Sequence, residues 1–179
     1  MKQALFILTA LVILLQSCTS VKFMNSQPLD TPALPEFAKD LVGIYLIDNE
    51  KDTLTITANS FEYGNSTSLL GHVKGSLSSG EAVLKIIGGY YILSMKDENI
   101  WQVIAFKKKV DEIDIYIINV EHSKEGVVSK LKKILPVKEI KDKEGQLDYY
   151  LIDPNKSEFE KLIAKKIFSK SGVFKRIVL

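Results

Sequence analysis

Between residues 42 and 120 apolar and polar side chains alternate in short runs, the period-two pattern of strands that bury one face. In 52–58, Leu54, Ile56 and Ala58 fall on one face and Thr53, Thr55 and Thr57 on the other. Runs at 42–47, 60–63, 69–74, 82–87, 90–96, 101–107 and 112–120 repeat the pattern, and in the last of them Ile113, Ile115 and Ile117 oppose Asp114 and Tyr116. Turn-forming residues separate the runs, among them Asp48-Asn49-Glu50-Lys51, Gly64-Asn65, Ser79-Gly80 and Gly88-Gly89. The intervals are too short for crossover helices, so the economical arrangement is an antiparallel meander.

After residue 120 the period lengthens. Val127, Val128, Leu131, Ile134 and Leu135 line one side of a helix that Pro136 ends. A second helix is predicted over 157–169: Ser157 and Glu160 have the spacing of a capping box, and Phe159, Leu162, Ile163 and Ile167 form its apolar stripe. Stretches 138–141, 148–152 and 173–178 read as strands. The expected fold class is α+β, mostly antiparallel β, with a meander or small barrel-like sheet and two C-terminal helices. An apolar stripe left in water is costly, so the helices should pack on the sheet and make 37–179 one domain.

The residues before 37 follow neither period. Lys2 precedes an apolar run from Ala4 to Leu15 interrupted by Thr9, and Ser17 stands just before Cys18, which is the layout of a secretory signal over residues 1–17. As a helix the run would span about 18 Å at 1.5 Å per residue, short of the roughly 30 Å of bilayer hydrocarbon. Residues 19–36 are polar and carry Pro28, Pro32 and Pro35, the composition of a flexible tether.

Leu15-Gln16-Ser17-Cys18 resembles the lipobox of bacterial lipoproteins. The resemblance implies cleavage before Cys18, a diacylglycerol joined to its thiol and a further acyl chain on its new amino group. Two or more acyl chains anchor a protein stably, whereas one holds it marginally. By the same resemblance, Thr19 in the place where an aspartate would favour inner-membrane retention implies the outer membrane. The lack of acidic residues from Thr19 to Phe23 points to its periplasmic face. The whole chain resembles the small strand-rich lipoproteins of Gram-negative envelopes.

Charge adds little to that picture. The formal net charge is +2, and cleavage would remove Lys2, so nucleic acid is not an expected partner. Positive charge gathers after residue 120, but almost all of it is lysine. Arg176 is the sole arginine, so clustered guanidinium forks for phosphate are absent. With Cys18 acylated, no thiol remains for a disulfide.

Catalytic side chains are scarce. His72 and His122 are the only histidines and lack ligand-like companions, which favours surface or capping roles. Asp111, Glu112 and Asp114 do not share a face in a strand, so they read as a solvated hairpin shoulder and not as a cation site. No catalytic residue, metal site or cofactor is expected.

The aromatics carry more. Tyr45, Phe61, Tyr63, Tyr90, Tyr91, Trp101, Phe106 and Tyr116 fall in the strand region, where they could line a ligand cavity, and Tyr45, Tyr63, Tyr91, Trp101 and Phe106 are the candidates singled out for it, against the plainer alternative of core packing. Gly43-Ile44-Tyr45, a succession of hairpins and a late helix are similar in outline to the lipocalins, with Tyr45 in place of the tryptophan of that family. The resemblance implies binding of an apolar ligand. The expectation is therefore a non-enzymatic, lipid-anchored module that binds an apolar ligand or an envelope protein. Its alternatives are a structural envelope protein with a filled core and a hydrolase of unrecognised type.

Overall fold

The computed structural model describes residues 20–47, 52–64, 72–120 and 126–177. Residues 1–17, read above as a signal, together with Cys18, His122 and the 48–51 connection, lie outside them. The fold is mainly antiparallel β with two helices among the described residues. The strands are β1 (Ser20–Phe23), β2 (Gly43–Ile47), β3 (Thr53–Ile56), β4 (Ser60–Tyr63), β5 (Val73–Ser76), β6 (Ala82–Ile87), β7 (Tyr90–Asp97), β8 (Ile100–Lys108), β9 (Glu112–Ile117), β10 (Lys138–Lys141), β11 (Leu147–Ile152) and β12 (Ser169–Arg176). The helices are α1 (Val127–Lys132) and α2 (Lys156–Ala164).

All twelve strands belong to one sheet that branches at β8. Along one edge β8 pairs with β7 from Ile100 to Phe106, and β7 continues to β6. On the other edge, Trp101 bridges Phe23 of β1 and residues 105–108 pair with β9. One arm runs β8-β1-β11-β10. The other runs β8-β9-β12-β2-β3-β4-β5.

Alternation along the shared hairpin gives each face its own core. Ile92, Val103 and Ala105 point to a core completed by Val21, Phe23, Val127, Leu131, Ile152, Phe159 and Leu162, which seats both helices. Leu93 and Phe106 point the other way, to Phe37, Leu41, Tyr45, Leu54, Ile56, Phe61 and Ile113. Leu54 and Ile56 are buried while Thr53 and Thr55 are half-buried and Thr57 is exposed, as the period requires.

Several expectations need correction. The barrel-like closure does not occur: β5 and β6 end the sheet without sharing a ladder. The gap is crossed by the 34–37 segment, whose Leu34 N–H donates to Leu84 O and whose Phe37 N–H donates to Ala58 O, at 2.7 and 2.8 Å. Residues 19–36 are not a tether from Ser20 onward. Val21 and Phe23 reach the helix-covered core, β1 pairs in parallel with β11, and Gln27 and Pro28 are fully buried. Buried Lys85 holds this passage by donating to the carbonyls of Ser26 and Pro28, and burial lowers its pKa.

The second helix starts two residues early, with Asn155 as N-cap and Glu158 as its reciprocal partner. It also ends early, at Ala164. Lys166 takes a left-handed φ of 54°, and the Ile167 N–H reaches back to Leu162 O at 3.0 Å, which is a Schellman closure. The stripe still lands as expected: Phe159, Leu162 and Ile167 are buried and Ile163 packs beside them. The last strand therefore begins at Ser169 and lies between β9 and β2. The last of the described strands thus lies within an arm, not at its margin.

Candidate functional site

The second face is concave and not filled. A hollow of about 490 Å³ lies between the β7–β8–β9–β12 surface and the curled β3–β4–β5 end of the sheet. The period of two aims the walls: Ile104 and Phe106 from β8, Ile113 and Ile115 from β9, Leu93 and Met95 from β7, Leu54 and Ile56 from β3. Phe61 and Tyr63 of β4, Val73 of β5 and Phe174 of β12 complete them. A bulge after Lys170 leaves Ser171 outside the ladder, so both Ser171 and Gly172 reach the hollow. Among the described residues no charged side chain lines it. Gln102, Ser171 and Tyr63 contribute its polar side-chain groups.

The two ends of the hollow differ. Phe37, Phe61, Phe106 and Ile113 are buried, whereas Val73, Gln102 and Ser171 are exposed and form the mouth. Phe37 closes the floor, its ring edge-on to Phe61 with centroids 6.4 Å apart. Below it, Arg176 ties the end of the sheet to the 40–45 segment. Its guanidinium donates to Val42 O at 2.9 Å, to Asp40 O, and to the Tyr45 hydroxyl at 2.7 Å, and lies 5.1 Å from the Tyr45 ring centre. The hydroxyl in turn donates to Leu41 O at 2.7 Å, and burial raises its pKa while Arg176 opposes the rise. Gly43 is needed for this packing, because a Cβ there would stand 2.9 Å from Arg176 Nη1.

At the mouth the Gln102 amide donates to Asp97 Oδ2 at 3.3 Å, and Lys22 Nζ lies 2.9 Å from the same oxygen. Lys22 and Gln102 together hold the Asp97 carboxyl below its ordinary pKa, Lys22 having the larger effect. Lys22 also sits 4.7 Å over the Tyr149 ring. The first strand of the fold is thus linked directly to the rim of the hollow.

Of the five aromatics singled out from the sequence, Tyr63 and Phe106 line the hollow. Tyr91 stacks on Phe106 at 5.1 Å without reaching the lining, Tyr45 is buried under the floor, and Trp101 packs on the helix-covered face. Phe37, Phe61 and Phe174 were missing from that set. Phe61 shares the Leu54/Ile56 face by strand pairing, but Phe174 could be placed only by knowing that its strand pairs with 112–117.

The remaining candidates are surface features or salt links. His72 Nε2 lies 2.8 Å from Glu62 Oε1 in an exposed pair. Asp114 is buried, not solvated as the hairpin-shoulder reading had it, with Lys109 and Lys170 nitrogens at 2.8 and 2.7 Å that hold its pKa down. No group of three His, Cys, Asp or Glu side chains with metal-binding proximity occurs among the described residues. No helix among them is long and apolar enough to cross a membrane. No protein-family model matches the chain, and comparisons with curated proteins and with solved structures return no match.

Proposed function

We propose that the protein is a lipid-anchored binding module of the bacterial envelope that holds an apolar ligand in this hollow without transforming it. The observation that carries the reading is the cavity: about 490 Å³ of apolar space, closed at the floor and open at the mouth. Its volume falls within the roughly 300–1,000 Å³ typical of small-molecule sites, which are mostly apolar with a few placed polar groups. A protein with a filled core has no reason to leave this face of its sheet unpacked, since voids forfeit dispersion contacts.

The anchor is Cys18, by the lipobox resemblance, and the outer membrane facing the periplasm is its location. The lipocalin outline fits the same reading, with a sheet that stays open and is bridged by the 34–37 segment. Organic extraction of the purified protein followed by mass spectrometry tests the proposal. A stoichiometric apolar molecule in the extract supports it. A protein that carries none, and takes up none when offered fatty acids in excess, contradicts it.

A further inference from the structure

We infer that the hollow takes a single unbranched hydrocarbon chain and that Phe37 sets how long that chain can be. This rests on the cavity reading above, to which it adds the shape and length of the occupant, and it does not involve the anchor.

Depth and volume together give the shape. Along β8, the stretch from Gln102 at the mouth to Lys108, the partner of Ile113 at the floor, covers roughly 20 Å at about 3.4 Å per residue. A sphere of 490 Å³ would be only about 10 Å across, so the hollow is elongated along the strands. An extended chain suits that shape better than a compact fused-ring molecule does. A methylene takes up about as much room as one molecule of liquid water, roughly 30 Å³, so the hollow holds about sixteen carbons. That is one acyl chain, and too few carbons for the pair of chains on a phospholipid.

The floor is a plug set in from outside the sheet. Among the described residues, Phe37 is the one lining side chain that no strand supplies. Its backbone N–H donates to Ala58 O at 2.8 Å, and its ring stands edge-on to Phe61, so backbone and ring are both held. Leu41 and Tyr45 belong to the same core and are fully buried, and Arg176 binds the Tyr45 hydroxyl. A chain that enters past Gln102 and Ser171 meets apolar walls until it reaches the Phe37 ring, which stops it. The plug can be shortened without turning the face of any strand.

Displacement of cis-parinaric acid from the purified protein by saturated fatty acids, from decanoic to docosanoic acid, is the test. Each methylene buried in the hollow should strengthen binding about fourfold. The gain should stop near hexadecanoic acid in wild type. Phe37→Ala opens the floor and should move that break about two to four carbons longer, since the surrounding structure relaxes only partly into the space. Phe37→Leu should move it less and in the same direction, and it carries the comparison if the alanine variant does not unfold cooperatively. Val73→Ala, at the exposed mouth, should leave the break in place. A break unmoved in the Phe37 variants, a gain that continues through docosanoic acid in wild type, or a sterol that competes as well as hexadecanoic acid would each overturn the inference while the cavity reading stands. Wild-type protein that binds no parinaric acid would take the cavity reading down with it.

Discussion

Gly75 has room for nothing beyond hydrogen: a Cβ would stand 2.8 Å from the Phe61 ring and 3.4 Å from Ala82 Cβ. The ring is part of the cavity wall and cannot retreat without entering the hollow or its neighbours. Gly75→Ala should therefore cost about 1–3 kcal/mol, the usual range for overpacking, measured by denaturant unfolding. A loss below about 0.5 kcal/mol would mean that the wall yields at this point. Asp114 makes a second prediction. Lys109 and Lys170 depress its folded pKa, so the unfolded chain takes up a proton first as pH falls. The stabilisation is fully present above the ordinary carboxylate range, near pH 4, and is lost as pH falls below it through the folded pKa. Asp114→Asn should flatten that acid limb of the stability profile relative to wild type, and an unchanged limb would place the linkage elsewhere. Neither residue was legible from pattern alone. Alternation separated Asp114 from the Ile113/Ile115 face correctly, but it carries no information on which lysines cover the carboxylate. The close approach at Gly75 depends on a ring 14 positions earlier.

At the scale of elements, the long alternating runs were readable because each repeats its period over several residues, and the helix stripes were readable for the same reason. The first strand was not. Val21 and Phe23 give one repeat, too few to register against three nearby prolines, and their burial comes from pairing with β11, more than 120 residues away. Phe23 is 1% exposed and packs 6.3 Å from Phe159, centroid to centroid, whereas the neighbouring Met24 is 51% exposed. Phe23→Ala should thus cost about 3–5 kcal/mol, and Met24→Ala should stay within about 0.5 kcal/mol. Equal small losses would return the segment to a tether. The helix start illustrates a different limit. Ser157 with Glu160 is the capping pair read from the sequence, but the chain uses Asn155 with Glu158, two residues earlier, satisfying its first amides directly after Pro154.

For the whole molecule, the α+β class and the strand-rich character followed from local periodicity, but the topology did not. The branch at β8, the parallel β1–β11 pair and the placement of β12 between β9 and β2 are all long-range pairings. So is the hollow, which exists because two ends of a curled sheet are held apart and stapled by the 34–37 segment rather than zipped into a barrel. That is why residues scattered from Phe37 to Phe174 line one space and why alternation alone chose only two of the aromatics in it. The proposed function requires this space to hold an apolar ligand. Its most direct measurement is fluorescence titration of the purified protein with cis-parinaric acid, comparing wild type with Ile104→Trp, a substitution that fills the hollow from the wall of β8. Saturable, equimolar binding to wild type is expected, with a loss of at least tenfold in affinity in a variant that still unfolds cooperatively. Equal binding by the two proteins, or no saturable binding by wild type, would contradict it.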